Sequence, residues 1–154
     1  MSFILRLTRA FQDAGVRFAV TGGYAVALHG AVRGTLDIDI VLRRSRGDFV
    51  AAEETLKGLG LAPRLPVDAG QVFDFREEYI RNRNLVAWSF SNPSNQAEIV
   101  DVIITHDLAA MKVVKVRVGT VTVPVVSRRD LIAMKRASGR PQDLEDVRAL
   151  EALA

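Results

Sequence analysis

The segment that most constrains this chain is Leu36-Asp37-Ile38-Asp39-Ile40-Val41-Leu42, which follows a glycine pair, Gly22-Gly23. In a strand, residues i and i+2 share a face, so Asp37 and Asp39 project together while Ile38 and Ile40 point into a core. Two carboxylates side by side repel each other, a cost accepted mainly where a cation sits between them. Hard oxygen ligands at this spacing favour Mg²⁺ or Mn²⁺, which keep positions open for water and phosphate oxygens. The alternative is a strand with a solvated polar face.

A second observation bears on that choice. Asp101 interrupts the run Ile99-Val100-Asp101-Val102-Ile103-Ile104, whose apolar character predicts a strand buried on both faces. A carboxylate there is costly unless it is paired, hydrogen-bonded or on a metal. Beside Asp37 and Asp39 on an adjacent strand, it completes a three-carboxylate cluster able to hold divalent cations; the alternative is a salt bridge to one of the many Arg side chains. The glycine pair fits the same picture. It lies between a short buried strand, Phe18-Ala19-Val20-Thr21, and a helix predicted from Tyr24 to Ala31. Without Cβ atoms the backbone approaches a polyanion closely, and a helix start aims unpaired N–H groups at it.

Hydrophobic spacing outlines the rest. Helices are predicted over Phe3–Ala14, Arg46–Leu59 and Arg128–Ala137, the last capped by Ser127. Pro141 opens a final helix with Leu144, Val147, Leu150 and Leu153 on one face. Besides Leu36–Leu42, strands are predicted at Leu85–Ser91 and Ala97–Thr105, joined by the turn formers Asn92-Pro93-Ser94-Asn95. A further hairpin, Lys112–Val118 and Val121–Val126, turns at Gly119-Thr120, with Pro124 marking its second strand as an edge. Residues 63–84 give no clear pattern. With neither repeat nor linker, residues 1–154 read as one α/β domain, a mixed β-sheet flanked by helices.

Composition limits the chemistry. There is no Cys, which excludes disulfides and thiolate metal sites, and with two His zinc is a poor fit. No apolar run approaches the length of a membrane span and Met1 to Arg9 lacks a leader pattern, so a cytoplasmic protein without a membrane partner is expected. The formal charge of +3 is compatible with a nucleotide or RNA partner without demanding one. His29 reads as a hydrogen-bonded structural residue, His106 as exposed, and Trp88 and Phe90 as core.

The run Phe18-Ala19-Val20-Thr21-Gly22-Gly23, then Arg33-Gly34-Thr35-Leu36-Asp37-Ile38-Asp39-Ile40, resembles the signature of the DNA polymerase β-type nucleotidyltransferase superfamily. Within that superfamily, Gly22-Gly23-Tyr24-Ala25, His29-Gly30, Arg33 and Thr35 are most similar to the small AbiE-type toxins. The later segment Val126-Ser127-Arg128-Arg129-Asp130-Leu131-Ile132-Ala133-Met134-Lys135, with Arg140 and Asp143, resembles the same branch. Many superfamily members carry Ser where this chain has Gly23; the AbiE-like branch tolerates glycine.

The resemblance implies a polymerase β-like fold and transfer of a nucleoside monophosphate from an NTP to an acceptor, with release of pyrophosphate. Asp37, Asp39 and Asp101 are then the catalytic and Mg²⁺- or Mn²⁺-binding residues, Asp101 also deprotonating the acceptor. Gly22, Gly23, Arg33, Thr35 and Lys135 become substrate-binding residues; Arg33 otherwise braces the turn, and Lys135 otherwise is a solvated helix residue. The acceptor is RNA or tRNA, a protein or a small molecule, and a toxin would have a cognate antitoxin as partner. Two other classes stay open: a non-catalytic nucleotide- or RNA-binding module, and an interaction protein that keeps the fold.

Overall fold

The computed structural model describes residues 2–153. Seven strands form one sheet in the order β3-β4-β5-β2-β1-β7-β6. Its centre consists of β1 (Phe18–Thr21), β2 (Ile38–Leu42) and β5 (Asn95–Ile103). β2 runs antiparallel to β1 and parallel to β5, so the sheet is mixed. β4 (Ala87–Asn92) forms a hairpin with β5, and the short β3 (Ala62–Pro63) pairs with β4. On the other side β7 (Val121–Val126) runs parallel to β1 and carries the outermost strand, β6 (Val113–Val118).

Register sorts the side chains into two faces. Ile38 lies opposite Val100, and Ile40 opposite Val102 and Val20. These residues are buried, as is Trp88, the partner of Val102 on β4. Helices α1 (Phe3–Asp13), α3 (Arg46–Gly58) and α4 (Ala69–Asp74) serve this apolar face. Phe11 of α1 meets Phe18 edge-on at 4.9 Å, and Phe49 of α3 stacks on Trp88 at 6.1 Å and meets Phe73 of α4 at 5.5 Å. Such pairs add to the burial of large apolar area. Asp39, Asp101 and Thr21 therefore point to the other face, where α2 (Gly22–Leu28), α6 (Arg128–Ser138) and α7 (Pro141–Glu151) pack together.

Local chemistry sets the element ends. Ser45 caps α3 by accepting from the Asp48 N–H, Asp68 and Gln71 form a reciprocal capping box on α4, and Ser127 caps α6 as expected. Gly139 ends α6 with φ 65°, the left-handed conformation that terminates helices. Residues 63–84, unread in the sequence, contain α4 and α5 (Arg76–Arg83). α5 buries none of its side chains, which explains why no apolar stripe marked it.

Five expectations require correction. α2 begins at Gly22 rather than Tyr24, so the glycines form its first turn instead of preceding it. β2 begins at Ile38, leaving Leu36 and Asp37 outside the strand. β7 is not an edge: it lies between β1 and β6, and Pro124 is accommodated because β7 pairs with β1 at one position, Val20 with Val125. β5 is not buried on both faces; from Glu98 onward buried and half-buried residues alternate, and Asp101 belongs to the half-buried set. On α7 Leu144 is exposed, and the buried face carries Asp143 and Asp146 with Val147 and Leu150.

Candidate functional site

Asp39 and Asp101 are register partners on the parallel strands β2 and β5, so both carboxylates project from one face at the same height. Thr21, the last residue of β1, pairs with Asp39 from the other side. Burial, the Asp101 charge and then the Asp37 charge push the Asp39 carboxyl up to about 7, against a smaller opposing pull from Lys135.

Gly22 makes this geometry possible. Its φ of 66° is left-handed, and a Cβ there would overlap the Asp39 carboxylate. The glycine accordingly shapes the first turn of α2 and the pocket for Asp39 together. Gly23 has a different neighbour. A Cβ on Gly23 would lie 3.0 Å from Arg33 Nη2 and 3.1 Å from its Cζ, so the guanidinium rests on the bare backbone.

Around the two carboxylates is a cleft of about 290 Å³. Gly23, Arg33, Thr35, Asp37, Asp39, Asp101 and Lys135 all line it, so the structure brings together every sequence-nominated site residue except Gly22. Gly22 lines an adjoining cavity that also includes Asp39 and Lys135. Thr35 donates from Oγ1 to the Asp37 carbonyl at 3.4 Å. Asp37 itself is exposed at the mouth, because it precedes β2 and the strand alternation does not hold it beside Asp39. Among the described residues no three acidic or His side chains converge into a ready-made cation cage. The three expected carboxylates instead share one cleft, Asp39 and Asp101 as register partners and Asp37 at its mouth, close enough for its charge to act on Asp39.

The cationic wall is built on α7. Arg33 donates from Nε to Asp146 Oδ1 at 3.0 Å and from Nη1 to the Gly34 carbonyl at 2.7 Å. Lys135 is buried, with Nζ 2.9 Å from Asp146 Oδ2 and 3.4 Å from Asp143 Oδ1. Arg140 donates from Nε to Asp143 Oδ2 at 2.8 Å. Burial alone would raise the Asp146 carboxyl, but hydrogen bonds from Lys135 and Gln142 and the charges of Lys135 and Arg33 hold it below the usual range. Asp143 is lowered in the same way, burial being outweighed by bonds from Arg140 and the charges of Lys135 and Arg140. Two buried carboxylates thus hold three cations at the cleft.

Asp146 is the site residue that sequence reasoning missed, and Asp143 and Arg140 had entered only as part of a resemblance. Asp143 and Asp146 stand three apart on α7, on the same stripe as Val147 and Leu150, a spacing that places carboxylates on a buried helical face. The remaining candidates separate cleanly. His29 is structural, with Nε2 2.8 Å from the Val126 carbonyl. Trp88 and Phe90 are core, as expected. His106, expected to be exposed, is half-buried with Nδ1 2.9 Å from Thr105 Oγ1. Burial, aided by the Arg76 charge, lowers its pKa.

The donor set fits Mg²⁺ or Mn²⁺. Such ions are commonly held by one or two carboxylates, with water and phosphate oxygens completing the shell, and a desolvated Asp39–Asp101 pair has charge to be neutralised. Asp39 and Asp101, with Asp37 in the same cleft, are the residues that could hold one.

No protein-family model and no curated protein matches the sequence. Solved structures do match. The solution structure of the antibiotic-resistance factor ANT(2″)-Ia aligns with a TM-score of 0.64 and 12% identity over 94% of this chain and 78% of that one. The lincomycin-bound lincosamide antibiotic adenylyltransferase LnuA aligns at 0.61 and 13% identity, over 94% of this chain and 91% of that one. An antigenic nucleotidyltransferase-like protein from Paracoccidioides brasiliensis aligns at 0.59 and 14% identity, over 98% of this chain and 75% of that one. The mixed seven-stranded sheet flanked by helices is the nucleotidyltransferase fold.

Proposed function

We propose that this protein is a metal-dependent nucleotidyltransferase that moves a nucleoside monophosphate from an NTP to an acceptor. The observation that carries this reading is the Asp39–Asp101 register pair facing a cleft whose opposite wall presents Arg33, Lys135 and Arg140. An anion-binding wall facing a carboxylate pair suits a triphosphate: the cations would take phosphate charge while the carboxylates take a divalent ion. The ion, when bound, neutralises phosphate charge and orients its oxygens.

The chain's own residues supply the remaining chemistry. Lys135 and Arg33, fixed by Asp146, bear on the β- and γ-phosphates and stabilise charge that grows on the leaving pyrophosphate. The acceptor oxygen or nitrogen attacks the α-phosphorus, the bond to pyrophosphate breaks, and Asp101 takes the acceptor's proton.

The finer reading rests on the motif residues. Gly22-Gly23-Tyr24-Ala25 and the Val126–Lys135 segment support the AbiE-type branch, and with it a toxin that acts on RNA, tRNA or protein and is countered by an antitoxin. The antibiotic-modifying neighbours support a small acceptor instead. The test is incubation with each α-labelled NTP and Mg²⁺ in separate reactions containing total RNA, a protein extract, tobramycin or lincomycin. Label entering any acceptor, and lost with Asp101→Asn, supports the reading. NTP that neither binds nor labels anything sinks it.

A further inference from the structure

The cleft does not end at Asp39. A second cavity of about 120 Å³ shares Asp39, Lys135, Arg140 and Asp143 with it and continues over the uncovered end of β5, past Ile103 and Thr105 to His106. A third, of about 250 Å³, shares His106 and Met134 with the second and runs on between α6 and the 3₁₀ turn Leu108–Ala110. The three adjoin through these shared residues as a trough, with the Asp39–Asp101 pair in the first and Asp39 at its junction with the second.

The two ends of the trough differ in chemistry. The end beside Arg33 is cationic and polar. The other end is floored by Met134 and the small residues Ala133 and Ala137 of α6, and Val86 and Ile103 line the cavity that leads to it. Its charged lining residues are Asp107 and Asp130. Burial would raise the Asp107 carboxyl, but backbone N–H groups of Ala109 and Arg44 and the charges of Arg44 and Arg43 hold it low, so it is ionised. Arg43 and Arg44 act on Asp107 without lining the outer cavity, and among the described residues no Lys or Arg lines it. His106, with its lowered pKa, is neutral at pH 7 and offers one donor and one acceptor.

We propose that this outer end is the acceptor compartment, and that it takes a compact, neutral or cationic molecule bearing a hydroxyl or amine, not a nucleic acid. The inference rests on the nucleotidyltransferase reading of the Asp39–Asp101 cleft. Its argument is position and charge. An acceptor must reach the α-phosphorus from the side away from the leaving pyrophosphate, and the trough continues past Asp39 on the side away from the Arg33 wall. A nucleic acid binds through phosphates and needs Lys or Arg along its path. Lys135 and Arg140 line the stretch next to Asp39, but the outer cavity beyond it offers carboxylates, an apolar floor and a neutral imidazole.

The absence of native Cys gives a direct test. Ala137→Cys places a single thiol at the exposed outer end of the trough. Its rate of modification by cationic and by anionic methanethiosulfonates is measured, each normalised to free cysteine, with and without NTP·Mg²⁺ and with total RNA. The proposal expects the cationic reagent to react severalfold faster and both NTP·Mg²⁺ and RNA to leave the rates unchanged. Once modified with the bulky cationic reagent, the protein should keep the rise in melting temperature given by NTP·Mg²⁺ while losing transfer of label to tobramycin or lincomycin, the small-molecule probes of the labelling assay. A faster anionic reaction, protection by NTP alone, protection by RNA, or transfer that survives modification overturns the proposal. If NTP·Mg²⁺ gives no melting shift in unmodified protein, the nucleotidyltransferase reading itself fails, which separates the two.

Discussion

Asp39 and Asp101 face one another across two parallel strands, and burial, with the Asp101 charge, pushes the Asp39 carboxyl up to about 7, far above the usual carboxylate range. A carboxyl raised on folding stabilises the folded state below its unfolded pKa, and that contribution disappears as pH rises through the folded value. The ligand-free protein should therefore lose stability through Asp39 between about pH 4 and pH 7. His106, lowered on folding, works oppositely, adding stability as pH rises through the same region. Comparison with Asp39→Asn isolates the first effect. The variant's advantage in melting temperature should be small near pH 4, grow as pH rises and level off above about pH 7, and a thermal scan series showing no pH-dependent difference would refute the placement.

Nucleotide binding should reverse that order. With NTP and Mg²⁺ the wild type gains stability by mass action, and Asp39→Asn should lose most of the gain. A variant that keeps the full NTP-induced shift would show that the pair is not where the ion binds.

Asp101→Asn preserves shape and removes the proposed proton acceptor. Asp37 and Asp39 still offer carboxylates to an ion in the same cleft, so NTP affinity should fall little, while transfer falls about a hundredfold or more. Single-turnover measurement with labelled NTP separates the two effects. Comparable transfer by the variant would count against Asp101 in this role.

Asp146→Asn should be among the more disruptive conservative changes in the chain. It removes the partner shared by Arg33 and Lys135 and leaves a buried ammonium underpaired, which typically costs about 3–5 kcal/mol. Denaturant unfolding measures the cost. If the variant folds, the KM for NTP should rise more than kcat falls, because the residue positions cations rather than reacting; an unchanged KM would make its role purely structural.

Gly22→Ala puts a Cβ into a left-handed backbone position and into the Asp39 carboxylate at once. Backbone strain of this kind costs about 1–3 kcal/mol, and displacement of Asp39 should abolish NTP binding as well. Gly15 makes a useful control. It too has a left-handed φ, of 70°, but nothing lies within 4 Å of its Cβ position, so Gly15→Ala should show the strain alone.

The sequence carried the site better than its supports. Asp39, Asp101 and the glycines announced themselves because carboxylates in apolar strands and a glycine pair at a strand end are locally costly. Alternation and turn residues likewise placed the central strands within a residue or two. Asp143 and Asp146 were less legible. On an isolated helix they look like solvated charge, and only packing of α7 against α6 reveals that they meet Lys135. Leu144 shows the converse error, since an apolar residue at helical spacing was assigned to a core that ion pairs occupy instead. Asp37 does line the cleft with Asp39 and Asp101, but it was placed in a strand that begins one residue later, at Ile38.

The Arg33 guanidinium resting on Gly23 also constrains how such a site changes over generations. A serine at position 23, as many related motifs carry, would bring its Cβ within 3.0 Å of Nη2, so it is not a silent exchange here. Shortening Arg33 first would strip Asp146 of a partner before the hydroxyl arrives. The two positions are therefore coupled through the guanidinium: a side chain at residue 23 fits only as far as Arg33 yields by a few tenths of an ångström, and that movement is passed on to Asp146.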